Sequence, residues 1–233
     1  MMSGCTSTRM AIPSASTLGD DRSIDREWFT RHPVKVAWDL IGCVLRVTRD
    51  GATVAGRIVE AEAYAGPADP ASHASRMKAA RQVMAGPPGT VYTYLSYGIH
   101  TMMNIVSHEE GQSGGVLLRA LEPVEGLDVM RERRNGVAET KLARGPGSFG
   151  QAMGIRLTDC GTDILCSDEF AISHGDPQRP VHASPRIGIS RAVHAPWRFF
   201  EHPSPFVSAH RREHPVEHHE LALLIPPPGT PID

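Results

Sequence analysis

At 233 residues, with 40% hydrophobic and 21% charged side chains, the chain has the composition of an ordinary soluble globular protein, long enough for one large domain or two small ones. A formal net charge of −2 excludes bulk attraction to nucleic acid, so any nucleic-acid surface has to be a local basic patch. No stretch reaches the ~20 apolar residues of a membrane span, residues 1–10 lack a signal-peptide pattern, and the four cysteines (Cys5, Cys43, Cys160, Cys166) form no Cys-x-x-Cys pair, so a reducing, cytoplasmic setting is expected.

Residues 1–24 are rich in Ser, Thr, Gly and Asp without periodicity and are read as a disordered leader. Structure is expected from Glu27-Trp-Phe29 onward. Pro33 suits an early helical position, Val36, Ala37, Leu40 and Ile41 make one apolar face, and Gly42 is placed as a C-cap. Cys43–Thr48 and Val54–Tyr64 read as two strands joined by the turn signal Asp50-Gly51, a β-hairpin. Residues 66–78 form a loop that ends in a short helix, and Gly86-Pro-Pro-Gly89 is a rigid turn. A tyrosine-bearing strand leaves that turn, Tyr97-Gly98 breaks it, and Met102–Ser107 returns. A strand over Gly114–Arg119, a helix over Val124–Arg134, a helix opened by Gly145-Pro-Gly147 and a strand over Arg186–Ser190 follow. Helices and strands interleave without βαβ regularity, so the expected fold is α+β: one mixed domain over 25–208, an antiparallel sheet packed by helices with a protruding β-hairpin. Residues 209–233 are His- and Pro-rich and are read as a mobile extension.

All four tyrosines fall between Tyr64 and Tyr97. With strand parity, Glu60, Glu62 and Tyr64 share one face, and Val59, Ala61 and Ala63 share the other. The small apolar face is expected inward and the acidic one at a surface or cleft, where two solvated glutamates are the plain alternative. Tyr92 and Tyr94 share a side opposite Val91, Thr93 and Leu95, either as core rings or as a stacking platform. Tyr97, beside Gly98 at a hairpin tip, is suited to wedging between base pairs. Asn104, inside the apolar Met102–Val106, needs a hydrogen-bond partner, and Arg119 at the end of Val-Leu-Leu needs an anion or carboxylate.

Arg57-Ile-Val-Glu-Ala-Glu-Ala-Tyr64, Asp69-Pro-Ala-Ser-His73, Gly86–Gly98, Met103-Asn104 and Val116–Pro123 occur in that order. Together with Arg144-Gly-Pro-Gly147, Ser184–Ile189 and Pro196-Trp-Arg-Phe199, they resemble the alkyladenine (3-methyladenine) DNA glycosylase family over residues 25–208. The resemblance implies a monofunctional base-excision enzyme that takes damaged purines from double-stranded DNA, needs no metal or organic cofactor, and acts as a monomer in the nucleoid-bearing cytoplasm. By the same resemblance Glu62 is the general base that activates water, and Arg119 helps hold that water and the nucleotide phosphate. Tyr64, His73 and Tyr94 sandwich and read the flipped base, Asn104 clashes with the 2-amino group of guanine, and Tyr97 fills the gap left in the duplex.

Elementary chemistry agrees with those roles. Extruding a nucleotide costs a few kcal/mol, least for damaged bases; stacking returns roughly 1–3 kcal/mol per base. No Lys lies in the pocket motifs, so Schiff-base chemistry is not expected. Glu60 is read as a neighbour that tunes Glu62 by like-charge repulsion, and Arg76, Lys78, Arg81, Lys141, Arg144 and Arg198 as phosphate-contact candidates. Two other readings are a damaged-DNA-binding protein without catalysis and a metalloprotein using the tail run His210–Glu220, where Pro215 interrupts the ligands.

Overall fold

A computed structural model describes residues 24–209, 213–227, 230 and 232. The expected leader therefore lies outside the described residues, apart from Ile24. Helix α1 (Arg26–Phe29) is capped by Asp25, whose side chain accepts from the Trp28 N–H, and α2 (Pro33–Asp39) starts on its proline as expected. Strands β1 (Val44–Arg49) and β2 (Ala52–Tyr64) pair in antiparallel register from Val44↔Arg57 to Arg49↔Ala52. Asp50 (φ 54°) and Gly51 (φ 75°) both adopt left-handed conformations, the two-residue turn whose twist matches its strands.

After β2 the chain forms α3 (His73–Arg76), α4 (Lys78–Met84), β3 (Val91–Ser96), β4 (His100–Val106) and β5 (Gly115–Glu125). It continues through α5 (Leu127–Arg133), α6 (Pro146–Met153), β6 (Phe170–Ser173), β7 (Val181–Ser184), β8 (Arg198–Glu201), β9 (His214–Pro215) and α7 (Leu221–Leu224). All the strands join one antiparallel sheet in the order β3-β4-β5-β2-β8-β7-β9, with β1 on β2 and β6 on β1. This is the expected α+β architecture. Strand β2 is its axis: β5 runs along one edge, while β1 takes the first half of the other edge and β8 takes Glu60–Glu62.

Helix α2 buries Val34, Val36 and Ala37 against β2, and α6 buries Phe149, Ala152 and Met153 against β4 and β5. The α6 approach is close: a Cβ on Gly150 would stand 2.1 Å from the Thr101 carbonyl oxygen. Glycine there lets the helix support the β3–β4 hairpin close to its tip, where Thr101 pairs with Leu95. His100, the first residue of β4, has its ring over Gly147 of the same helix.

Several expectations are corrected. Strand β5 runs on to Glu125, which pairs with Ala55, so the following helix begins at Leu127 rather than Val124, after the left-handed Gly126. Residues 186–190 are an irregular loop, because their polar groups serve the site described below rather than a ladder. Helix α4, unread in the sequence, occupies the residues before the Gly86 turn.

The described residues of the C-terminal segment are docked, not free. Trp38 Nε1 donates to the Val216 carbonyl (3.3 Å), Trp197 Nε1 to that of Leu224 (2.9 Å), and Leu221 and Ile232 join the core. The segment thus supplies the acceptors for both indole N–H groups. His210 lies outside the described residues.

Candidate active site

The parity of β2 holds from Glu60 to Tyr64 and fails at Val59. Ile58 pairs with Leu121 and Glu60 with Ala120, so Val59 is an extra, unpaired residue, a β-bulge. Ile58 and Ala61 consequently share the main core, while Val59 packs with Ala120, Phe200, Phe206 and Val207. Val59 therefore does not share the inward face of Ala61 and Ala63.

Neither glutamate is solvated; both are completely buried. Buried carboxylates require partners, and both have them. Glu60 accepts from Arg119 Nε (2.7 Å), Arg198 Nε (2.8 Å), and the N–H and Oγ of Ser208 (2.7 Å each). Burial pushes the Glu60 carboxyl up, but Arg119, Arg198 and the Ser208 N–H outweigh it and hold it below its ordinary value. Glu62 accepts from the Ile187 N–H (2.7 Å), the Tyr64 hydroxyl (2.9 Å) and Arg119 Nη1 (3.2 Å). The two carboxylates share Arg119, whose pKa rises despite burial because Glu62 and Glu60 flank it. Arg119 and Arg198 set two positive charges against the two carboxylates.

Above this network lies a cavity of about 330 Å³ lined by Tyr64, His73, Tyr92, Tyr94, Asn104 and Arg119, among others. Five of the predicted site residues (Tyr64, His73, Tyr94, Asn104 and Arg119) are thus brought together, and Tyr97 stands at the rim. Glu62 lies behind the wall, reaching the cavity through its two donors Tyr64 and Arg119. His73 Nδ1 and the Tyr92 hydroxyl are 3.1 Å apart; the His73 and Tyr94 rings meet edge to face at 4.3 Å, and Tyr92 and Tyr94 lie at 5.7 Å. His73 and Tyr94 therefore form one wall, since a base between parallel rings needs about 7 Å, twice a van der Waals contact. Asn104 Nδ2 donates to the Tyr92 carbonyl (3.1 Å) across the β3–β4 pair, the partner its burial demanded.

Burial, aided by Arg76, lowers the His73 pKa, and burial raises both Tyr92 and Tyr94 to about 12. Burial and the Glu62 charge also raise Tyr64 well above its ordinary value. The rings are neutral at pH 7, and hence present uncharged π faces to a ligand.

Sequence reasoning missed a second buried pair. Arg186 donates to Asp69 with both terminal nitrogens, Nη1 and Nη2 (2.5 and 2.9 Å), and with Nη1 to the Ala63 carbonyl, and its guanidinium lies 4.7 Å over the Tyr64 ring and 5.1 Å over Trp197. Asp69 also accepts from the Ala65 and Ala71 N–H groups, fixing the loop that leads into α3 and His73. An Arg set between Pro185 and Ile187 was the available signal, because such a charge is either exposed or paired.

Strands β3 and β4 project the three-residue tip Tyr97-Gly98-Ile99 into solvent. Tyr97 is 91% exposed and Ile99 72%, and Tyr97 has a φ of 50°, a region that side-chain-bearing residues rarely adopt. Among the cationic candidates, Arg198 is corrected: it is completely buried against Glu60 and Ser184 and cannot reach a phosphate. Arg76 lines the cavity, together with the unanticipated Arg191.

An antiparallel sheet with a ring-walled cavity over a buried carboxylate–arginine network has the equipment of an enzyme that takes a flat heterocycle out of water. Residues 27–205 match the family described as Methylpurine-DNA glycosylase (MPG). Relatives provisionally named 3-methyladenine DNA glycosylases agree. One from Nocardia farcinica is 45% identical over 190 residues, 77% of this chain and 88% of the relative. One from Rhodopseudomonas palustris is 44% identical over 201 residues (85% and 96%), and one from Chlorobium luteolum is 41% identical over 191 (81% and 97%). The chain belongs to the methylpurine-DNA glycosylase family. Among the described residues no helix is long and apolar enough to cross a membrane.

Proposed function

We propose that this protein is a monofunctional DNA glycosylase that flips alkylated or deaminated purines out of duplex DNA and hydrolyses their N-glycosidic bond with a water activated by Glu62. Residues 25–208 form the catalytic domain, acting as a monomer on nucleoid DNA in the cytoplasm. The reading rests on one observation: the Glu62 carboxylate is bonded to Tyr64 and Arg119, both of which line the ring-walled cavity. A carboxylate has roughly four lone-pair sites. Ile187, Tyr64 and Arg119 occupy three, and the fourth receives the water.

Tyr64, His73 and Tyr94 take the extruded base. Their neutrality matters, because a protonated His73 would repel a cationic alkylpurine that neutral rings attract. As the glycosidic bond breaks, its electron pair leaves with the base. Water adds to C1′ and Glu62 takes the proton. Arg119, held charged by both glutamates, orients Glu62 and the water and meets the nucleotide phosphate. Asn104 crowds the 2-amino group of guanine, and Tyr97 wedges into the vacated stack.

The test is base release from duplex DNA carrying hypoxanthine, 1,N6-ethenoadenine or 3-methyladenine. Glu62→Gln is expected to bind the lesion duplex as wild type does and to lose roughly 10²–10⁴-fold in release rate. If wild type and Glu62→Gln release the same negligible amount while both bind DNA, the protein is a binder of damaged DNA and not an enzyme.

A further inference from the structure

On the sheet edge away from the base cavity, three side chains from the neighbouring strands β7, β8 and β9 or their ends converge. His182 lies on β7, His202 follows β8, and Glu213 immediately precedes β9. Their ligand atoms all lie within 4.8 Å of one another. His202 Nδ1 is 3.1 Å from Glu213 Oε1, and the two imidazole rings are 4.6 Å apart with an interplanar angle of 36°. None of the three lines the base cavity.

We propose that His182, His202 and Glu213 bind one zinc ion. Two imidazoles and a carboxylate are a borderline donor set suited to Zn²⁺, with water completing the tetrahedron. Bonds of about 2.0–2.1 Å place such donors about 3.3 Å apart, so closing the set needs side-chain rotations on the order of an ångström. The tail thus supplies one ligand, Glu213, to two histidines of the sheet, a different set from the string of histidines within the tail.

The position gives the ion a task. His202 and Glu213 are the two ends of a segment whose middle meets the catalytic network: Ser208 bonds Glu60 through both N–H and Oγ, and Val207 accepts from Arg144 Nε at 2.8 Å. Zinc would tie both ends of that segment to β7 and so hold Ser208 against Glu60. It takes no part in breaking the glycosidic bond.

The full-length protein, stripped with chelator and dialysed, is titrated with Zn²⁺ and separately with Co²⁺. Expected are one high-affinity site per chain, the intense visible absorption of tetrahedral Co²⁺, and a thermal midpoint raised by zinc. His182→Ala and Glu213→Gln should each weaken that site about 100-fold or more, given that even removing a group that only supports a ligand costs 10–100-fold. Their circular dichroism and metal-free midpoint report whether they fold. Glu213 is only partly buried and glutamine keeps its size and shape, so its variant is informative even if His182→Ala is not stable. Absence of a stoichiometric site in wild type, or affinity unchanged in a folded variant, overturns the proposal. Because every readout is metal binding, failure here is separate from failure of the glycosylase reading, and Glu62→Gln should bind zinc normally.

Discussion

Glu60 and Glu62 stand two residues apart on one strand face, and their oxygens are committed to different work. All of the Glu60 bonds go to Arg119, Arg198 and Ser208, which leaves it a counter-ion and brace, whereas Glu62 is bonded to residues of the cavity wall. A second pair acts in the same manner: Asp69 and Arg186 are both fully shielded, with the guanidinium stacked on Tyr64. Asp69→Ala would leave a buried, uncompensated guanidinium, and a loss of about 3–5 kcal/mol in denaturant unfolding is expected. A loss under about 1 kcal/mol would mean that Arg186 finds other partners. At this scale the residue types of the site were legible, since tyrosines, a strand-borne Glu and an Arg after an apolar run stand out. Their partners were not. The Ile187 N–H on Glu62 and the Asp69–Arg186 pair join residues more than a hundred positions apart, and no local pattern encodes such a contact.

Hairpins were the most readable elements, because Asp50-Gly51 and Tyr97-Gly98 interrupt alternating runs and local turn chemistry sets the register. The bulge at Val59 was hidden, since it exists only as a mismatch between β2 and β5. The β3–β4 tip keeps a large ring in solvent at a positive φ, a placement that packing does not explain. Tyr97→Ala should therefore alter stability by no more than about 0.5 kcal/mol. It should slow lesion release from duplex DNA on the order of tenfold, because stacking is worth roughly 1–3 kcal/mol, with a smaller effect on single-stranded substrate. Equal slowing on both substrates would remove the wedge role. The C-terminal segment is the opposite case, polar in composition but seated on Trp38 and Trp197. Deleting residues 213–233 removes the acceptors of both indole N–H groups and buried Leu221. A fall in the thermal midpoint is expected, since burying one Leu is worth about 1.5–3 kcal/mol; an unchanged midpoint would show that the segment adds nothing to the fold.

For the molecule as a whole, several buried titrations act in one direction. His32 and His73 are lowered from 6.5, chiefly by burial, and Glu60 is lowered from 4.5 by its arginines. Below pH 6.5 the unfolded chain binds protons that the folded histidines refuse, so stability falls as pH falls. Glu60 adds stability that is complete above 4.5 and is lost as pH drops through its depressed folded value. Thermal unfolding between pH 8 and pH 4 should show midpoints declining steadily below 6.5; a rise on acidification would contradict half-buried histidines held neutral in the fold.

The sequence by itself determined the α+β class, the β1–β2 and β3–β4 hairpins, the family and the roster of rings and charges, because periodicity, turn residues and ordered motifs are local properties of the chain. Only the tertiary structure decided that Glu60 and Glu62 are buried, which of them adjoins the cavity, that Arg198 braces rather than binds, and that the tail returns to the sheet. Those outcomes depend on β5, β8 and the 185–190 loop closing around β2, and burial is set by what arrives from elsewhere in the chain.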